Sequence, residues 1–195
     1  MQIVPFIRFI GLTGSLARDI AKTSSDIDFF IVTSAGRIWT CRFFTVVMLK
    51  ILGLYPKGEE CRKRAGKICT NRFVTDKYLV INPQNRYHAE EYSRIAPLFD
   101  SDSILEKFYK KNIWMQNFGY YPAQRVISLV QSAGILSTIR RISEFILSGS
   151  LGNAFESYCK KFQLKSIMKN PLANQSDSGI YVDDNELRFH PKPRK

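Results

Sequence analysis

The stretch that most restricts what this chain can become is Asp26-Ile27-Asp28-Phe29-Phe30-Ile31-Val32. Four large apolar residues in a row read as the buried end of a strand. Side chains alternate across a strand, so Asp26 and Asp28 share one face while Ile27 and Phe29 share the other. Solvated acids rarely need to sit where a strand dives into a core. Two carboxylates on one strand face can hold one or two hard divalent cations such as Mg²⁺. Upstream, residues 3–12 (IVPFIRFIGL) read as a strand that leads into a small-residue turn, Gly14-Ser15. Such a turn can present backbone N–H groups and a hydroxyl to phosphate oxygens. Metal-bound carboxylates facing a phosphate cradle suit in-line attack on a nucleoside triphosphate.

The order and spacing of Gly14-Ser15, then Ser25-Asp26-Ile27-Asp28 and a buried strand, resembles the DNA polymerase beta-like nucleotidyltransferase superfamily. The chain looks most like the small stand-alone bacterial and archaeal members of that superfamily. The resemblance covers mainly residues 3–82. It implies Mg²⁺ (or Mn²⁺) bound by Asp26 and Asp28, and the β- and γ-phosphates held by Ser15 and the Gly14 backbone. Arg18 or Lys22 would neutralise charge developing on pyrophosphate. Members usually place a third acid on the strand read here at Ile68 to Phe73. By alternation Cys69, Asn71 and Phe73 share a face of that strand, and the aligned position is Asn71, an amide. An amide oxygen ligates Mg²⁺ weakly and cannot act as a base. Either another carboxylate (Asp76, Glu90 or Glu91) fills the role, or the protein binds nucleotide with little or no transfer. Members also usually carry helical sequence before the first strand, so its closeness to Met1 raises the expectation that some of the usual covering is missing.

The formal net charge of +12 favours polyanionic partners: nucleotides, nucleic acid or an acidic membrane surface. The acceptor classes open to such an enzyme are a protein side chain, a small molecule and an RNA end. The four cysteines form no CxxC pair and the two histidines stand apart, which argues against zinc and suits reduced thiols in the cytoplasm. Met1 to Ile10 lacks the basic start and cleavage site of a signal peptide.

The expected fold is α+β, a small mixed sheet of nucleotidyltransferase type covered by helices, with a helical C-terminal half. Residues 1–82 would form the core, 83–169 a helical layer, and 170–195 a short hairpin and basic tail. Within the core, Leu16 to Lys22 reads as a helical turn and Tyr78 to Ile81 as a short strand. Residues 37–55 are the most apolar stretch and approach the length of a membrane span. Arg42 and Lys50 inside it favour a core helix with both cations snorkelling outward. Residues 57–67 read as a charged connection and 83–100 as a connecting segment. In that segment His88-Ala89-Glu90-Glu91 could line the acceptor side, or His88 could simply start a surface helix. Residues 101–118 read as a helix capped by Ser101 or Ser103. Residues 123–169 read as two helices split near Ser148-Gly149-Ser150. The second would bury a stripe of Leu151, Phe155, Tyr158, Phe162 and Leu164. Asp183-Asp184 read as turn acids of the terminal hairpin.

Overall fold

The computed structural model describes residues 1–23, 25–56, 66–122, 134–169, 171–175 and 178–189. A mixed sheet of six strands, in the order β4-β1-β2-β3-β6-β5, is covered by helices on both faces. β1 (Ile7–Thr13) pairs antiparallel with β2 (Ile27–Thr33), and β2 pairs parallel with β3 (Ile68–Thr75). Between β2 and β3 runs the crossover helix α2 (Ile38–Ile51), the length of connection a parallel pair requires. The alternation of β2 splits the core as its sequence implies. Phe29 and Ile31 join one apolar cluster with α2 and α6 (Gly149–Ile167), while Phe30 and Val32 join a second under α3 (Arg86–Tyr92) and α4 (Ile104–Lys111).

The sheet draws on all three sequence segments. β4 (Ala96–Asp100) comes from the stretch read as a connection and pairs with β1 at one edge, where Pro97 is tolerated. The hairpin of β5 (Tyr181–Val182) and β6 (Glu186–Arg188) turns at 183–185 as expected, and β6 then extends the main sheet beside β3. Asp183 accepts N–H bonds from Asn185 and Glu186, the self-contained turn its sequence suggested. Asp184 accepts from the Trp39 indole at 2.8 Å and from Lys160 at 2.7 Å, pinning the hairpin to α2 and α6.

Several expectations need correction. The first strand begins at Ile7, because Phe6 adopts φ 65° and turns the chain just before it. The helical turn after β1 is α1 (Gly14–Ala17) alone, ending well before Lys22. Residues 78–81 form no strand: buried Asn112 replaces the neighbouring strand, donating to Leu79 O and accepting from Ile81 N. Helix α4 starts three residues after 101, and its cap is neither Ser101 nor Ser103. The Asp100 carboxylate accepts from the N–H groups of Ile104 and Leu105, while Ser103 sits at φ 54°. A 3₁₀ stretch (Ile113–Phe118) replaces the rest of that predicted helix. The split at 148–150 holds, between α5 (Gly134–Ile146) and α6, whereas the start of that predicted pair, 123–133, lies outside the described residues. So does most of the charged connection, 57–65.

Helix α6 is rotated relative to its apolar stripe. Of that stripe Phe155 and Leu164 pack against the core as expected, but Leu151, Tyr158 and Phe162 are 75%, 61% and 57% exposed, and Gly152, Cys159 and Gln163 are buried instead. The physical reason is polar. Glu156 accepts from the N–H groups of Trp39 and Thr40 at 2.9 and 2.8 Å, capping α2, which has no side-chain cap of its own. Gln163 donates to Trp39 O and Cys159 O and accepts from Arg42. These bonds fix which face of α6 turns inward. Arg42 is therefore half-buried and tied to α6 rather than snorkelling freely outward, while Lys50 is exposed as expected. No helix among the described residues is long and apolar enough to cross a membrane.

Candidate functional site

The site lies at the N-terminal end of β2, where three chain segments converge. Asp28 is paired across the sheet with Thr13 of β1 on one side and with Cys69 of β3 on the other. Immediately after Thr13, Gly14 turns the chain at φ +67° into α1. A Cβ at Gly14 would lie 2.3 Å from Asp28 Oδ2, so only glycine lets the backbone pass this close to the carboxylate. Side-chain oxygens of Asp26 and Asp28 and the Cys69 sulfur all lie within 4.8 Å of one another. The sequence-predicted pair thus does share a face, against the predicted Gly14 turn. Ser15 is half-buried at the start of α1, and Lys22 is exposed in the connection that follows.

β3 carries a register shift opposite Asp28–Phe30: residues 69 to 72 face residues 28 to 30. This irregularity breaks the strict alternation read from the sequence. Phe73 points into the α2–α6 cluster, while Asn71 turns to the acids. The Asn71 amide nitrogen donates to Asp28 Oδ1, and its oxygen accepts from the Cys69 thiol at 2.8 Å. Asn71 therefore holds Asp28 in place and directs its oxygen toward Cys69. Cys69 is the site residue that reading the chain for metal motifs missed. Its one visible signal was its place two residues before Asn71.

The candidates for a third acid separate cleanly. Asp76 follows Thr75, which pairs with Thr33 at the far end of β2. Five residue steps along the strand, about 16 Å, separate that end from Asp28. Asp76 instead accepts from Ala35 N and serves the opposite turn. Helix α3 brings Glu90 and Glu91 to the correct side. Glu90 pairs with Arg18 at 2.7 Å and accepts from the Tyr120 hydroxyl. Arg18 also donates to Gly14 O, so its charge is already engaged within the site. Glu91 bonds Tyr87, whose phenol is pushed up by burial, by Glu91 and by the negative field of Asp28. The contacts of Arg18 with both Glu90 and Gly14 O join α3 to the turn beside the acids. His88 receives the helix cap through its backbone N–H, which donates to Asn85, and its ring Nδ1 lies 2.9 Å from Pro83 O. The helix-start reading of His88 matches this arrangement.

The donor set can be tested against a hard divalent cation. Two carboxylates on adjacent positions of one face fit such an ion, and the close Gly14 backbone leaves Asp28 Oδ2 uncrowded by any side chain of its own turn. In this arrangement the Asn71 amide nitrogen donates to Asp28 and the Cys69 thiol donates to the Asn71 oxygen, so the pair orients Asp28 rather than adding ligand oxygens. No protein-family model, curated protein or solved structure matches the chain.

Proposed function

We propose that this chain is a nucleotidyltransferase-like protein that moves a nucleotidyl group from a nucleoside triphosphate to a hydroxyl acceptor. The observation that carries the reading is the packing of Asp28 beneath the positive-φ turn at Gly14, with Asp26 beside it. A peptide plane passing so close to a metal-type carboxylate suits a site where triphosphate oxygens must meet both backbone and cation. Asp26 and Asp28 would hold Mg²⁺ or Mn²⁺, and the ion would offset phosphate charge as a Lewis acid. Gly14 and Ser15 would orient the phosphates, and Asn71 would keep Asp28 in its rotamer. Arg18 is read as a strut between Gly14 and Glu90 rather than as the pyrophosphate cation. A protein side chain, a small molecule and an RNA end are the acceptors this reading admits, and Cys41, Cys69 and Cys159, which form no disulfide, are in keeping with a cytoplasmic setting.

A second reading is a degenerate module that binds nucleotide or a partner without turnover. The observation favouring it is the Asn71 amide donating to Asp28 where a third carboxylate would otherwise complete the metal site. Thermal stability with Mg²⁺ and each nucleoside triphosphate tests both readings. A ligand at ~100 times its dissociation constant adds about 2.7 kcal/mol, or roughly 5–10 °C for a domain of this size. The shift is expected to vanish in Asp26→Asn/Asp28→Asn. Absence of any shift in folded wild type refutes the first reading and the nucleotide-binding form of the second, leaving only a partner-binding scaffold. Nucleotidyl transfer by wild type favours the first reading. Transfer that appears only in Asn71→Asp favours the second.

A further inference from the structure

A cleft of about 350 Å³ opens between α2, α6 and the start of β3, on the sheet face opposite Phe30 and Val32. Its size is at the lower end of ligand-binding clefts. Arg42 forms part of its wall. The guanidinium Nη1 donates to Gln163 at 2.5 Å, the group lies 4.6 Å over the Phe189 ring, and Nε is buried with no hydrogen-bond partner. Gln163 is itself fixed by two carbonyls, Trp39 O and Cys159 O, so the cation is held at one place. No ion pair among the described residues includes Arg42; burial lowers its proton affinity, which the Tyr55 phenol on the same cleft offsets only in part. A half-buried cation with no counter-ion among the described residues is costly unless an anion arrives. Phe43, Val46 and Phe162 supply an apolar wall beside it, and Lys50 stands at the exposed end of α2.

We propose that this cleft binds a small organic anion with an apolar body, its acidic group on Arg42 and its body between Phe43, Val46 and Phe162. Cys69 lines the same cleft, and its sulfur belongs to the Asp26–Asp28 cluster. An occupant would therefore extend from Arg42 to the rim of the acidic site. If the acids carry out transfer, this is where an acceptor with an acidic group would lie. The binding claim does not depend on that transfer, because its test uses neither metal nor nucleotide.

The probes are 8-anilinonaphthalene-1-sulfonate, an aromatic anion, and N-phenyl-1-naphthylamine, nearly the same body without the charge. Wild type is expected to bind the sulfonate about ten-fold or more tighter than the amine at one site, the usual gain for a charge-assisted bond out of water. Arg42→Met is expected to remove that preference while leaving the amine unchanged, and Val46→Trp to weaken both by filling the cleft. Phe145→Ser, on the 81%-exposed side of α5, controls for adsorption elsewhere and is expected to leave the tight site intact. Urea transitions establish that each variant folds. If Arg42→Met does not fold, Val46→Trp decides alone, since it adds bulk on the open side of the helix. Equal affinity for the two probes in wild type overturns the proposal. So does sulfonate binding by folded Val46→Trp that matches wild type.

Discussion

Gly14→Ala isolates the feature on which the site reading depends. Two costs are expected at this position. The first is a left-handed conformation at φ +67°, worth about 1–2 kcal/mol for an L-residue. The second is the contact itself. An added Cβ 2.3 Å from Asp28 Oδ2 must displace the carboxylate by roughly an ångström to reach ordinary contact. That movement breaks the bond from the Asn71 amide to Asp28, a charge-assisted bond worth roughly 1.5–3 kcal/mol. The sum is about 3–5 kcal/mol. The chain contains its own control for the first cost. Gly36 sits at φ +71°, and a Cβ added there would meet no atom within 4 Å, so Gly36→Ala reports backbone strain alone, about 1–2 kcal/mol. Urea unfolding of Gly14→Ala, Gly36→Ala, Asp28→Ala and Gly14→Ala/Asp28→Ala separates the contributions at constant m. The double variant is expected to lose about 1.5 kcal/mol or more less than the sum of the singles, because the carboxylate that clashes is gone. Additivity within about 0.5 kcal/mol, or equal costs at Gly14 and Gly36, would refute the argument that Gly14 is required by Asp28 rather than by its own turn.

Two further outcomes follow from contacts outside the site. Glu156→Ala is expected to lower stability by about 1–2 kcal/mol, because the N–H groups of Trp39 and Thr40 lose the cap that α6 lends to α2; an effect under about 0.3 kcal/mol in urea unfolding would show that water replaces it. Asp184→Asn is expected to cost at most about 1 kcal/mol at neutral pH, since the pair with Lys160 is largely exposed. The Lys160 ammonium, with help from the Trp39 indole, holds the Asp184 carboxyl below its usual value. The carboxylate's contribution is therefore complete above the ordinary Asp range and fades as pH falls through the lowered folded value. The difference between Asp184→Asn and wild type should shrink when thermal unfolding is measured near pH ~3 and below; a difference independent of pH would mean the carboxylate's charge is not what matters.

What the sequence made legible was the part of the fold written in strong local pattern. Phe29 to Val32 named a buried strand, its alternation put two acids on one face, and the run after Gly36 named a core helix. What it hid was decided by partners far along the chain. Nothing local in LGNAFESYCKKFQLKSIMK says that Glu156 and Gln163 face inward, because their attraction is to α2, more than a hundred residues earlier. The apolar stripe of α6 therefore gave the buried face only in part: Phe155 and Leu164 pack inward, while Leu151, Tyr158 and Phe162 are exposed. Strand β4 was hidden by its shortness and by Pro97, a residue that marks edges as readily as loops. At the site, the irregular pairing of β3 is what brings Asn71 to Asp28 while sending Phe73 away, and a period-2 reading cannot foresee it.

The charge around the candidate site makes a demand that a merely basic surface would not. The chain as a whole carries +12, yet this corner gathers Asp26, Asp28, Glu90 and Glu91, and Arg18 beside Gly14 is bound to Glu90. A triphosphate brought here alone would meet like charge. Carboxylates a few ångströms from phosphate oxygens oppose binding by several kcal/mol in a partly desolvated site, and a divalent cation reverses that sign. Nucleotide binding at this place should therefore be undetectable with chelator present and should appear with Mg²⁺ or Mn²⁺. Adsorption to the lysine-bearing faces of α4 and α6 would behave in the opposite way. It would need no metal, would weaken steeply with added salt, and would survive Asp26→Asn/Asp28→Asn. Equilibrium dialysis of a labelled nucleoside triphosphate, with and without chelator and across salt concentration, distinguishes the two. Binding that ignores both the chelator and the aspartate substitutions would show that the acidic corner takes no part in holding the nucleotide.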